Sequence, residues 1–85
     1  MKDAWEALSD KTRREILELL RSRPHTAGEI ADQFSLSAST VSHHLSVLKQ
    51  GGFIRSQKRA QTIIYSLNTA AFQEIMKFVS GFIKK

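Results

Sequence analysis

Residues 26–52 read TAGEIADQFSLSASTVSHHLSVLKQGG, and this stretch predicts two short helices joined by a tight turn. Thr26 and Glu29 have the T-x-x-E spacing of a capping box, so the first helix is expected over residues 27–34. The second is expected over residues 38–50, because a serine precedes it as N-cap and two glycines end it. The pair has the pattern of a helix-turn-helix unit.

The second helix of this pair has two faces of different chemistry. Val41, Leu45 and Leu48 recur at i, i+4 and i+7, which predicts a buried stripe. The opposite face is mostly small and polar and has no carboxylate, which suits insertion into a DNA major groove. An ordinary solvated face is the alternative, but such faces usually carry Glu and Lys, which form helices better than Ser and Thr. The candidate DNA contacts are Ser37, Ser39, Thr40, Ser42, His43, Ser46 and Lys49.

The composition indicates one small domain over residues 1–85, with 41% apolar and 25% charged residues. The chain has no cysteine, which excludes disulfides and thiolate-bound metals. No apolar run approaches the roughly 20 residues of a membrane span, and no signal peptide is recognised. A cytoplasmic location is therefore expected.

The net charge of +5 is distributed unevenly along the chain. Residues 1–32 hold seven acids and six bases, whereas residues 33–85 hold seven bases and one acid, Glu74. From Gln33 through Gln73 there is no acidic residue. The segment that contains the candidate DNA-reading helix is therefore never negative, which favours a polyanionic partner.

A β-hairpin is predicted after the two glycines, with strands over residues 53–59 and 62–67. Lys58 and Arg59 lie at its tip, with Gln61 beside them, and all three are candidate DNA contacts. A basic hairpin that follows a recognition helix is the wing of a winged helix, placed to touch phosphates or a minor groove. The tip has no Gly or Asn, so a wide loop is expected rather than a tight type I′ turn.

Three further helices are predicted, over residues 3–9, 11–23 and about 68–84. Arg13 and Arg14, near the start of the second of these, are assigned to solvated surface rather than to phosphate contact. The fold class is therefore mainly α with a β-hairpin wing, a winged helix-turn-helix of order α-α-α-α-β-β-α.

The last helix has an apolar stripe that is wide for so small a domain. Packing onto the domain's own core is one way to account for this stripe. A homodimer formed by the first and last helices is the interpretation we favour, because an exposed stripe of this size would aggregate. The expected interface residues are Trp5, Leu8, Phe72, Ile75, Met76, Val79, Phe82 and Ile83.

The three histidines do not suggest a metal site. His43 and His44 are adjacent on a helix and point about 100° apart, so they cannot close on one ion. His44 is expected to be packed, and His25 to be isolated in a turn. No nucleophile–base pair, carboxylate pair or phosphate-binding glycine loop is recognised, so neither an enzyme nor a cofactor is predicted.

Three segments together resemble the ArsR/SmtB family of bacterial winged-helix repressors, and most closely its SdpR-like subgroup, which lacks metal ligands. They read SDKTRREILELL at residues 9–20, TAGEIADQFSLSASTVSHHLSVLKQGGFI at 26–54 and KRAQTIIYSL at 58–67. The resemblance implies a homodimer that binds an inverted-repeat operator through the major groove and represses transcription, often of its own operon. Two details depart from the family pattern, Lys11 where proline is frequent and Ala60 where the wing tip often has glycine.

The resemblance also bears on metal sensing, because arsenic-, cadmium- and zinc-sensing members carry their ligands at known places. The matching positions here are Thr26, Gly28, Thr69, Ala71, Phe82 and Lys85. These residues do not form a ligand set, so no metal effector is expected.

Three alternative functions stay open at this point. The winged helix could serve as a protein-interaction module in a larger assembly. A repressor could be gated by an unidentified small effector, or by a protein partner that sequesters the dimer.

Overall fold

A computed structural model describes residues 2–84, which form five helices and three strands. This architecture confirms the winged-helix class. The short strand after the second helix was not predicted, so the order is α-α-β-α-α-β-β-α rather than α-α-α-α-β-β-α. The elements are α1 (Lys2–Leu8), α2 (Lys11–Ser22), β1 (His25–Thr26), α3 (Ala27–Phe34), α4 (Ala38–Gln50), β2 (Ile54–Arg59), β3 (Thr62–Leu67) and α5 (Ala70–Ile83).

Helices α2, α3 and α4 begin at side-chain caps. The carboxylate of Asp10 accepts a hydrogen bond from the backbone N–H of Arg13 at 3.0 Å and starts α2. Thr26 and Glu29 form both hydrogen bonds of the capping box of α3, at 2.9 and 3.1 Å. The hydroxyl of Ser37 accepts from the third residue of α4 at 3.2 Å. Each cap satisfies backbone donors that the first turn leaves free.

The two glycines that end α4 are needed for different reasons. Gly52 has a φ of +85°, a conformation that costs glycine nothing and other residues about 1–2 kcal/mol. A Cβ on Gly51 would lie 3.0 Å from the carbonyl oxygen of Asp3 and 3.0 Å from the Cβ of Ala7. The bare backbone at Gly51 therefore lets α1 pack against the end of α4.

The sheet is antiparallel, with strand order β1-β3-β2. His25, which the sequence placed in an isolated turn, pairs with Tyr65 across β1 and β3 and is 6% exposed. Its Nδ1 lies 2.8 Å from the carbonyl oxygen of Arg23. Because a carbonyl only accepts, Nδ1 carries the proton. The isolated-turn prediction was wrong because a two-residue strand has no periodicity to detect.

The wing tip is a two-residue turn, so the prediction of a wide loop was wrong. Arg59 pairs directly with Thr62, and only Ala60 and Gln61 lie between them. Ala60 adopts a φ of 55°. The register is set at the other end of the hairpin, where the buried Ile54 pairs with Leu67. Burial of that end outweighs the strain at one alanine, which is about 1–2 kcal/mol.

The core fixes the orientation of α4. Val41, Leu45 and Leu48 are each at most 2% exposed, as the predicted stripe requires. They pack in one cluster with residues of α2 and α3 and with Phe53, just before the wing. Burying each such side chain contributes about 1.5–3 kcal/mol. Rotating α4 about its axis would remove several of these contributions, so the polar face of α4 is held outward.

Candidate nucleic-acid interface

The outer face of α4 is exposed and polar. Ser39 and His43 lie one turn apart and point directly away from the buried stripe. The other predicted contacts on this helix flank them and are also exposed. These are Thr40, Ser42, Ser46 and Lys49.

Ser37 differs from the other serines because its hydroxyl is already occupied. It accepts from the N–H of Thr40 at 3.2 Å and donates to the Thr40 hydroxyl oxygen at 2.9 Å. A third contact reaches the hydroxyl oxygen of Ser39 at 3.3 Å. Ser37 therefore orders the first turn of α4 and presents a connected group of hydroxyls at the positive end of the helix dipole.

The recognition helix is tied to the wing by a polar contact. The Nζ of Lys49 donates to the hydroxyl oxygen of Ser56 at 2.8 Å. Ser56 pairs with Tyr65 across β2 and β3, so both side chains lie on the same face of the hairpin. That face looks toward α4, which defines the two sides of the wing.

The two basic residues near the wing tip lie on opposite faces of the hairpin. Lys58 is two residues from Ser56, so it shares the face that looks toward α4. Arg59 lies on the other face, where it lines a small groove with Pro24 and Gln57. Both cations and Gln61 are exposed. The structure thus separates two residues that the sequence treated as one basic tip.

A groove of about 230 Å³ runs between α4 and the wing. Its lining consists of Ser42, Leu45, Ser46, Lys49 and Tyr65. Sequence reasoning missed Tyr65, which it assigned only to a β-strand. The alternation of the strand could have placed Tyr65 on the face of Ser56, but not against α4.

Arg13 is not the solvated residue that the sequence predicted, because it is only 8% exposed. Its Nε donates to the carbonyl oxygen of Ala7 at 3.0 Å and its Nη2 to that of Glu6 at 2.9 Å. These oxygens belong to the last turn of α1, which carries partial negative charge, and that of Glu6 also accepts from the N–H and hydroxyl of Ser9. Arg14 is exposed, as predicted, and donates to the carbonyl oxygen of Leu8 at 2.7 Å.

The third contact of Arg13 reaches the recognition helix. Its Nη1 lies 3.3 Å from Nδ1 of His44, which is half-buried. Burial lowers the pKa of His44 below its ordinary 6.5, and the positive charge of Arg13 acts in the same direction, although Asp10 opposes it. His44 is therefore packed rather than presented to a ligand, in agreement with the sequence expectation.

A second surface of different chemistry lies on α5 and α1. Met76, Phe82 and Ile83 are 69%, 77% and 71% exposed. Trp5 and Phe78 stack edge to face, with ring centroids 6.0 Å apart. We call the exposed side chains of this surface the α5 apolar face. They are Trp5, Met76, Phe78, Val79, Phe82 and Ile83.

Three of the predicted interface residues also contact the chain's own core. Leu8, Phe72 and Ile75 are partly buried against the chain's own core. Phe72 also stacks on Phe53, with ring centroids 4.7 Å apart. Sequence reasoning missed Phe78, which the 100° helical step places beside Phe82.

Residues 2–84 contain no group of three His, Asp or Glu side chains placed to hold a metal ion. Lys85, which matches one of the family's metal positions, lies outside the described residues. In the same described part of the chain, every helix is too short or too polar to cross a membrane.

A core-anchored helix with an exposed polar face, followed by a basic hairpin, defines a winged-helix DNA-binding protein. Residues 8–57 match the family model described as "Helix-turn-helix domain". The chain is 44% identical over 85 residues to the transcriptional repressor SdpR of Bacillus subtilis (strain 168), covering 100% of this chain and 94% of SdpR. It is 40% identical over 72 residues to the HTH-type transcriptional regulator YgaV of Escherichia coli (strain K12), covering 84% and 73%.

A solved structure supports the same assignment. An ArsR-like transcriptional regulator from Rhodococcus sp. RHA1 superposes with a TM-score of 0.89 at 27% identity, covering 95% of this chain and 74% of that one. The chain belongs to the ArsR/SmtB family of winged-helix transcriptional regulators. It is a DNA-binding regulator and not an enzyme.

Proposed function

We propose that this protein is a homodimeric repressor that binds an inverted-repeat operator, most directly the operator of its own operon. The observation that carries the proposal is the exposed polar face of α4, held outward by a buried stripe and flanked by a basic wing. Because no acid occurs from Gln33 to Gln73, this surface meets no repulsion of its own from a phosphate backbone. The site of action is the cytoplasm, with the DNA.

The α5 apolar face supports the dimer. Its side chains are too exposed and too contiguous to stay in water, and pairing two copies would cover both faces at once. A two-fold dimer places two recognition helices in successive major grooves, about 34–36 Å apart. An inverted repeat is the DNA sequence that matches this symmetry.

Repression, rather than activation, is supported by a relative that matches the whole chain. SdpR is named a transcriptional repressor and is 44% identical over all 85 residues. The elements of residues 2–84 all belong to the winged helix itself. A dimer bound at the operator would act by occupying promoter DNA.

The test is recovery of a preferred duplex from a random-sequence pool with the wild-type protein. We expect an inverted repeat with half-sites one helical turn apart, and affinity that falls steeply with salt. A footprint over the protein's own upstream region would establish autoregulation. Weak, salt-insensitive binding with no enriched sequence would instead favour a winged helix used for protein interaction.

A further inference from the structure

We propose that the groove between α4 and the wing binds one DNA backbone phosphate, with Lys49 as the cation and Tyr65 as a neutral donor. The inference rests on the proposed function, because it assigns a particular contact within the same interface. It adds Tyr65 and Ser56, which sequence reasoning did not name, and it separates this contact from base readout.

The position of the groove on the helix is the first argument. At 100° per residue, Ser42 and Lys49 lie on the flank of α4 that faces the wing, and Ser46 lies between this flank and the outward face. Ser39 and His43 lie opposite the buried stripe and point straight outward. When the DNA major groove receives the outward face of α4, the DNA backbone that borders the major groove lies against the flank of the helix. The groove beside the wing is therefore placed for a phosphate rather than for a base edge.

The chemistry of the lining is the second argument. Lys49 has three N–H donors, and the hydrogen bond to Ser56 at 2.8 Å uses one of them. Its partner is a neutral hydroxyl, so the ammonium charge is not neutralised by this contact. Ser42, Ser46 and Tyr65, which each carry a hydroxyl group, line the same groove, and no carboxylate residue does. A cation among hydroxyl donors suits a phosphate oxygen.

The arrangement is also held in place before DNA arrives. Tyr65 is half-buried in the central strand, and Ser56 lies directly across from it. The contact with Ser56 holds the flexible lysine chain over the groove, so binding restricts less side-chain freedom. A phosphate held there would fix how deeply α4 enters the DNA.

The test uses the duplex selected by the wild-type protein, synthesised with a neutral methylphosphonate at one backbone position at a time. Wild type should bind more weakly at several of these positions. The affinity of Lys49→Gln should not change when the methylphosphonate stands at one particular position in each half-site, because the glutamine side chain does not bind the phosphate there. The slope of log affinity against log salt should flatten by about 0.9 for each phosphate that the variant no longer neutralises.

Tyr65→Phe removes only the hydroxyl group and serves as the second variant. Affinity should fall at least about tenfold for each half-site, equally on selected and random duplexes, because the variant lacks a hydrogen bond to a charged group but keeps every base contact. Its salt slope should be unchanged, since the phenol is neutral. Lys49→Arg should keep the methylphosphonate sensitivity.

Lys58→Gln is the matched control, because Lys58 lies on the same hairpin face but nearer the tip. A methylphosphonate at the backbone position that no longer affects Lys49→Gln should still weaken binding by Lys58→Gln. If methylphosphonates weaken Lys49→Gln as much as wild type at every substituted position, the inference is wrong while the proposed function stands. If the wild-type protein selects no duplex, both are wrong. Lys49 is exposed, so its variant keeps the test valid even if Tyr65→Phe fails to fold.

Discussion

The Nη1 atom of Arg13 lies 3.3 Å from Nδ1 of His44, and this contact joins α2 to the recognition helix. The same guanidinium caps the carbonyl end of α1, the helix that contributes Trp5 to the α5 apolar face. A buried cation thus connects the proposed dimer surface with the helix that carries His43. Because Arg13 is always protonated, the acceptor on His44 must be the neutral imidazole.

This contact predicts a pH dependence of stability. Burial lowers the pKa of His44 below 6.5, so the unfolded chain takes up the proton first as the pH falls. The contribution of neutral His44 to the free energy of unfolding is therefore complete above pH 6.5. It declines progressively as the pH falls through the lowered pKa of His44. The pKa of Asp10 is also lowered, mainly by the N–H of Arg13, but its contribution disappears only in the acidic range below its ordinary 3.8.

His44→Asn is the variant that isolates this effect, because its amide oxygen can accept from Arg13 and does not titrate. Urea unfolding between about pH 7.5 and 5.5 should show a smaller drop in unfolding free energy for this variant than for wild type. His44→Phe, which has no acceptor, should be less stable at both ends of the range. Equal pH dependence in wild type and His44→Asn would contradict the prediction.

The wing tip offers a stabilising substitution. Ala60 has a φ of 55°, so Ala60→Gly should relieve strain and raise the free energy of unfolding by about 0.5–1 kcal/mol, net of the greater chain entropy of glycine. Gln61→Gly is the control, since it adds entropy at the neighbouring turn position. It should destabilise by about 0.5–1 kcal/mol. Urea denaturation measures both, and equal effects of the two substitutions would count against strain at Ala60.

The features predicted correctly from the sequence are those that depend on neighbours along the chain. The capping box at Thr26 and Glu29 needs four residues, and the stripe on α4 needs two turns. The features that were missed depend on distant pairings. Arg13 is buried because the end of α1 lies beside it, and its partner His44 is 31 residues away along the chain. No local pattern distinguishes such an arginine from a solvated one.

The candidate DNA interface was predictable from the sequence to the same extent as the fold. The polar face of α4 follows from its own periodicity, so its members were named correctly as exposed residues. Tyr65 was missed because its place depends on the pairing of β2 with β3 and on how that hairpin packs against α4. The helical step that places Phe78 beside Phe82 was a local signal for Phe78, but its stacking on Trp5 was not predictable, because Trp5 belongs to the opposite end of the chain.

The α5 apolar face predicts a specific loss of dimers. Phe82 is 77% exposed, and Phe82→Glu would place a charge where the partner's apolar side chains should lie. We expect dimer dissociation to rise at least about 100-fold and operator affinity to fall with it. Lys77→Glu, at the centre of the polar side of α5, is the control and should sediment as wild type. A wild-type protein that sediments as a stable monomer at micromolar concentration would refute the dimer.

The wing predicts a difference between its two cations. Lys58 lies on the face toward α4, whereas Arg59 lies on the face toward Pro24. Lys58→Gln should therefore flatten the salt dependence of binding by about 0.9 per phosphate, and Arg59→Gln should change it less. Both substitutions should lower the affinity for selected and random duplexes alike, because phosphate contacts carry little sequence information. Unchanged slopes in both variants would show that the wing does not contact the DNA phosphates.

The recognition helix makes the most decisive prediction, because its outward face divides into readers and positioners. His43 and Ser39 lie opposite the buried stripe and outside the groove beside the wing, whereas Ser46 lines that groove. A good base contact is worth about 1–3 kcal/mol of discrimination, and a single hydroxyl belongs at the low end. His43→Ala should therefore cost more affinity on the selected duplex than on random DNA.

The measured quantity is the ratio of specific to non-specific affinity, taken at one fixed salt concentration. For His43→Ala this ratio should fall by about tenfold, and for Ser39→Ala by less. Ser46→Ala is the control. Removal of a contact to the DNA backbone lowers the affinity for both duplexes equally and leaves the ratio unchanged. Both readers are exposed, so neither substitution disturbs the core that holds α4. If the ratio survives both His43→Ala and Ser39→Ala, α4 does not read the bases and the assignment of the interface is wrong.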